Sequence, residues 1–243
     1  MEFHEEAFVL SARAHGDTGV VVDLLTETHG RQSAYVAGGA SRKMKPFLQA
    51  GARVIADYRA RTSDHLGSAR LEAVGEGPSA LFEDAMALSG LAAATAVTQG
   101  ALPEREAHPG AFLAFEALMS AFMIPDVWPA IFVRFEAGLL EDLGFGLDLS
   151  RCAATGTMDD LIYVSPRTGR AVSREAGGPY ADKMLKLPPF MLGAQAGLGE
   201  GDVGDGFNLT GHFLEQFVFH PQNKPIPPAR DWMVAKLREL GRL

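Results

Sequence analysis

At Gly75-Glu76-Gly77-Pro78 the hydrophobic period of the chain changes. Before this cluster, apolar residues alternate or run in short β-branched stretches. After it they recur every three or four positions. Period two belongs to a strand and a period of about 3.6 to a helix. One regular element cannot carry both patterns. The chain is therefore expected to divide at this turn cluster into a β part, residues 1–78, and a helical part, residues 79–243.

The first part reads as strands at residues 7–12, 19–25, 31–37, 53–60 and 68–74. His15-Gly16-Asp17 and Thr28-His29-Gly30 supply turns, and Ser63-Asp64-His65 with Gly67 breaks the last pair. Five short strands in a segment of this size suggest a small closed sheet, of which the OB-fold barrel is the model. In the second part, residues 79–99 carry Leu81, Phe82, Ala85, Met86, Leu88 and Ala92 at helical spacing, with Ser79 as N-cap. Further helices are expected at 111–123, from 128 to about 143, at 207–220 and at 231–240. The helices up to residue 143 are apolar nearly all round, which predicts a helical core. An irregular insert at 150–178 reads as a hairpin of residues 161–164 and 170–172, and residues 179–187 read as a short helix. The fold class is α+β: a five-stranded OB-fold barrel, then an all-helical domain with the insert.

Charge points toward a partner. The chain carries −8, yet residues 31–71 hold eight basic residues against Asp57 and Asp64, or +6. A local positive patch on an acidic protein is an electrostatic footprint for a polyanion, or else a solvated surface of no consequence. Placement favours the first reading. Arg53, Arg59 and Arg61 alternate with Val54, Ala56 and Tyr58, so a strand sends the three arginines to one face. Arg31, Ser33 and Tyr35 alternate likewise, and Arg42, Lys43 and Lys45 follow Gly38-Gly39 in a loop. Basic strand faces, a basic loop and a nearby aromatic are the parts of a single-strand-binding groove. Tyr35 is either a base-stacking platform or a buried core tyrosine. The candidate DNA-binding residues are Arg31, Tyr35, Arg42, Lys43, Lys45, Arg53, Arg59 and Arg61. An acidic protein partner bound by the same basic face, with no DNA role, is the alternative.

Other chemistry has little support. The seven histidines form no H-E-x-x-H, and neither G-x-S-x-G nor a Walker A sequence occurs. Gly199-x-Gly201-x-x-Gly204 spells a dinucleotide fingerprint, but no strand is expected before it and Glu200, Asp202 and Asp205 would repel a pyrophosphate; it reads as a loop. Cys152 is the single cysteine, which excludes an internal disulfide and fits a reducing cytoplasm. Glu2, Glu5 and Glu6 stand where a signal peptide needs positive charge, and no apolar run reaches the roughly 18–20 residues of a membrane span. An enzyme, a small-molecule substrate and a membrane partner are not expected. Arg134, in the apolar helix, is either a snorkelling or salt-bridged arginine, with Glu141 or Asp142 as partner, or a receiver of a partner's carboxylate.

Four motifs follow one another along the chain. At the front stand Ala7-Phe8-Val9-Leu10, Gly16-Asp17 and Leu24-Leu25-Thr26-Glu27-Thr28-His29-Gly30. Val36-Ala37-Gly38-Gly39-Ala40-Ser41-Arg42 with Phe47-Leu48-Gln49 makes a glycine-basic loop. Arg134-Phe135-Glu136 through Leu139-Leu140-Glu141-Asp142-Leu143-Gly144-Phe145 is a central helix, and Lys224-Pro225-Ile226 with Arg230 stands near the end. In this order the four resemble the opening, loop, central helix and closing signature of the RecO family of bacterial DNA repair and recombination mediators. The resemblance covers nearly the whole chain. It implies an N-terminal OB-fold, binding of single-stranded and more weakly of double-stranded DNA, and annealing of complementary strands. It also implies partnership with RecR and with the C-terminal tail of single-stranded DNA-binding protein, to load recombinase at gaps. A cytoplasmic location, associated with the nucleoid during repair, goes with it. Arg134, Lys224 and Arg230 are the candidates for that tail. Many members hold zinc with two C-x-x-C pairs in the insert; here those positions read Cys152-Ala153-Ala154-Thr155 and Val172-Ser173-Arg174-Glu175. One cysteine does not make a tetrahedral zinc site, so no metal or other cofactor is expected, and packing by Leu161, Ile162 and Tyr163 is expected to hold the hairpin.

Overall fold

A computed structural model describes residues 1–61, 65–75, 77–193 and 197–243. Ser63 and Asp64 of the expected strand break, and Glu76 of the turn cluster, lie outside the described residues, as does the side chain of Ser79. Strands β1 (Glu2–His15), β2 (Gly19–Thr26), β3 (Gly30–Val36), β4 (Arg53–Arg59) and β5 (Gly67–Ala73) close into a barrel of order β1-β2-β3-β5-β4. All neighbours are antiparallel except β3 and β5. Alternation along β4 sends Val54, Ala56 and Tyr58 inward, where they meet Val9, Val22, Leu24, Ala34 and Leu71.

β1 is longer than its apolar run indicates. Phe3 extends the inward set and stacks on Tyr58 at 4.6 Å and on His29 at 4.3 Å. Glu5 pairs across from the buried Ala56 and is held by the Thr28 hydroxyl at 2.6 Å and by His29 Nδ1 at 2.5 Å. A carboxylate at the barrel's end is tolerated because its oxygens are hydrogen-bonded.

The helical part packs α1 (Ala85–Ala101), α2 (Pro109–Ala121) and α3 (Trp128–Asp142) around fully buried Phe115, Trp128, Phe132 and Phe135. Each such side chain contributes about 1.5–3 kcal/mol by leaving water. α1 starts later than the periodicity indicates: residues Gly77–Glu83 form a 3-10 turn, and Asp84 caps the helix through the amides of Met86 and Ala87. The insert pairs β6 (Leu161–Val164) with β7 (Ala171–Ser173), followed by a one-turn helix, α4 (Arg174–Gly177). Residues expected as a short helix instead form a 3-10 turn and then β8 (Leu185–Lys186), which joins β6. α5 (Asp202–Phe213) begins inside the glycine run read as a loop, with Gly201 at φ 82°, and widens into a π turn over Leu214–Phe219. α6 (Pro228–Glu239) closes the chain against α1. No helix among the described residues is long and apolar enough to cross a membrane.

Barrel and helices share a seam. β2 is buried along its whole length. Its inward Val20, Val22 and Leu24 fill the barrel, whereas Leu25, with Phe8 and Leu10 of β1, belongs to the helical core. Phe8 meets Phe112 at 5.5 Å and Phe115 at 5.3 Å. The helices therefore cover the β1–β2 side, the link after α1 covers the start of β3, and the end of β3, β5 and the far half of β4 are left open.

Candidate nucleic-acid interface

β3 and β5 share only two paired positions, Ala34 with Gly67 and Tyr35 with Ser68. β3 then ends while β5 runs on beside β4. The splay leaves a groove of about 560 Å3, whose lining includes Tyr35, Ala37, Met44, Asp57, Arg59 and Arg70. Register sets Tyr35, Ser68 and Arg59 in one row across three strands, with Asp57 and Arg70 in the next.

Tyr35 is half-buried, not core. Its ring lies on Gly19, where a Cβ would stand 2.2 Å from it, and meets His15 edge-on at 5.9 Å. A ring so supported is a fixed platform. Arg59 is mostly exposed and stands 3.7 Å from Asp57, a loose surface pair that contributes little. Arg42, Lys43 and Lys45 are exposed, as expected. Their loop inserts Met44 into the groove, while Lys45 lines a second hollow of about 340 Å3 together with Arg13, Gly39 and Leu48. Arg13, Arg42, Lys43, Lys45, Arg61 and Arg70 make no ion pair among the described residues. Arg13 is not among the expected site residues because β1 runs past the expected end at residue 12, and Arg70 is not among them because its neighbours are set by the pairing of β5 with β4.

Two of the expected cations are elsewhere. Arg31 donates to Asp23 at 2.9 Å, to Glu104 at 3.5 Å and to the Leu102 carbonyl at 3.1 Å. Arg53 is bound by Glu6 and, at 2.8 Å, by Glu116, and lies 5.6 Å from the centre of the Phe8 ring. Both hold the seam. Arg53, Arg59 and Arg61 do not share one patch: the near end of β4 faces α2, its far end faces solvent, and Arg61 lies past the strand end.

Family models describe the chain in two pieces, "Recombination protein O N terminal" over residues 1–74 and "Recombination protein O C terminal" over residues 83–225. The chain belongs to the recombination protein O family. Its relatives include the DNA repair protein RecO of Phenylobacterium zucineum, 71% identical over 243 residues and all of both chains. That of Caulobacter vibrioides strain NA1000 is 66% identical, again over all of both chains. That of Rhodospirillum centenum is 48% identical over 98% of this chain and 96% of its own.

The three tail candidates drawn from the recombination protein O resemblance fare differently. Arg230 is buried, with bonds to Glu136 at 2.5 and 2.8 Å and to the Phe207 carbonyl at 2.9 Å. Its guanidinium is committed to a buried carboxylate and is not open to a partner. Arg134 pairs with neither Glu141 nor Asp142. It donates to the Phe190 carbonyl and, at 3.1 Å, to that of Gly193, while Asp142 binds His108 at 3.0 Å. Lys224 is exposed, at the rim of a pocket of about 380 Å3 with Phe145, Phe217 and Pro221.

The insert does not fit the zinc that many family members hold. Cys152 Sγ accepts from the Ser173 amide at 3.3 Å and its hydroxyl at 3.4 Å, so hydrogen bonds and not further sulfur ligands surround it. No group of three or more His, Cys, Asp or Glu suited to a metal occurs among the described residues. Leu161 is buried in the hairpin, and Ile162 and Tyr163 are half-buried.

Proposed function

We propose that this chain is a DNA repair and recombination mediator, without catalytic chemistry of its own, that binds single-stranded DNA across β3, β5 and β4 and over the basic loop. The observation that carries this is the groove between Tyr35, Arg59 and Arg70, open and cationic on an acidic chain. Phosphates meet Arg59, Arg70 and the Arg42–Lys45 loop, and an unpaired base stacks on Tyr35. A duplex keeps its bases in the stack and gains only the phosphate contacts, so it binds more weakly. Annealing follows if the bases not held on Tyr35 stay exposed to a second strand. The rim of Lys224 beside Phe145 and Phe217 suits the acidic, apolar tail of single-stranded DNA-binding protein, and RecR completes the loading of recombinase. Membership in a family whose relatives are DNA repair proteins supports the reading.

The test reverses the loop's charge. Arg42→Glu with Lys43→Glu is expected to weaken binding of labelled oligonucleotides of any sequence by tenfold or more, read by fluorescence anisotropy. Unchanged binding rules the loop out, and capture of an acidic protein partner alone then becomes the reading.

A further inference from the structure

We infer that β3 carries a further phosphate subsite, made by the Ser33 hydroxyl and the Arg31 guanidinium, and that Glu104 holds it closed. This rests on the proposed single-strand binding. Ser33 lies on the same face as Tyr35, two residues back along β3 and so about 7 Å from the stacking platform. One oxygen of Glu104 accepts from Ser33 Oγ at 3.1 Å and from Arg31 Nη1 at 3.5 Å. A hydroxyl and a guanidinium around one anionic oxygen are the donors a phosphate oxygen takes.

The backbone that brings Glu104 there is fixed. The link from α1 to α2 runs along β3, and the Arg105 amide donates to the Arg31 carbonyl at 2.8 Å. Arg105 adopts φ 66°, a costly conformation for a side chain with a Cβ. The Glu106 carbonyl sits so close to Gly30 that a Cβ there would stand 1.7 Å away. Arg105 also reaches the His65 carbonyl at 3.5 Å, on the approach to β5. The side chain of Glu104, by contrast, is 39% exposed and its bond to Arg31 is long. It can turn away while the link stays in place. Arg31 keeps Asp23 at 2.9 Å in either case, so only the second acid is exchanged when a phosphate enters. The consequence is a built-in competitor. Each strand that extends past Tyr35 must displace a carboxylate, which keeps that end of the path weak and releasable.

Glu104→Gln keeps the size of the side chain and its acceptor for Ser33 but removes the charge. It is expected to tighten oligonucleotide binding at low salt by threefold or more. It should also steepen the dependence of log K on log salt by ~0.7, the increment of one single-strand phosphate contact. Glu106→Gln is the control, since that carboxylate is on the same link but touches neither Ser33 nor Arg31. Ser33→Ala added to Glu104→Gln should take back part of the gain. Equal tightening by Glu106→Gln overturns the subsite in favour of bulk charge, as does an unchanged Glu104→Gln in a protein whose binding Arg59→Ala with Arg70→Ala weakens. If the double alanine variant binds as the parent does, the groove reading itself fails and the subsite falls with it.

Discussion

Arg53 and Arg59 occupy the same face of one strand and have different fates. Alternation told their side from that of Val54 and Tyr58. It could not tell that Glu116 would stand over one of them, because that contact joins residues 63 positions apart. Arg31 and Glu104 are 73 apart and were equally hidden. Arg230 is the sharpest case: a basic residue in a closing motif read as open to a partner, yet its partner Glu136 has no exposure at all. Replacing Arg230 with Met leaves that carboxylate buried and without a counter-charge, with only the Thr210 hydroxyl donating to it. The expected cost is ~3–5 kcal/mol, seen as a lower midpoint in urea unfolding, and Glu136→Leu in the same chain should recover much of it. Glu5 provides a pH signature. Burial raises its pKa, but bonds from Thr28, His29 and Thr26 outweigh this and hold it below the ordinary 4.5. A depressed carboxyl stabilises the fold above its ordinary pKa and loses that contribution as pH falls through the lower one. Glu5→Gln should therefore flatten the fall of stability below pH 4.5, measured by thermal melting across an acid series.

At the scale of elements, period was a good guide to type and a poor guide to ends. The five barrel strands fall where alternation places them, and the helical spacing after residue 84 is α1. The misplaced N-cap has a physical cause. Ser79 precedes the first apolar residues, but these belong to a 3-10 turn, and the β conformation of Asp84 lets its carboxylate reach two free amides. Asp84→Ala is expected to destabilise the chain by ~1 kcal/mol, read from urea unfolding, whereas a cap at Ser79 would leave Asp84 without effect. Residues 179–187 defeated the period because β8 is only two residues long and is set by its pairing with β6. A strand that short has no periodicity to read.

For the whole molecule, placement of charge matters more than its sum: residues 1–78 hold nine basic residues against ten acidic ones. Arg59 and Arg70 line one groove of a barrel whose other side is closed by helices, and the exposed Arg42–Lys45 loop adjoins it through Met44. In many OB barrels the β2–β3 face receives oligonucleotides. Here burial of β2 moves the open face to β3, β5 and β4. The candidate groove was thus legible in part: the loop, Arg59 and Tyr35 follow from pattern, whereas Arg70 needed the pairing of β4 with β5 to set it opposite Asp57. The most direct test is the salt dependence of oligonucleotide binding by the parent chain and by Arg59→Ala with Arg70→Ala. The groove predicts a linear fall of log K with log salt, shallower by ~1.4 in the variant, which has lost two single-strand phosphate contacts. Identical slopes and affinities in the two proteins would contradict it.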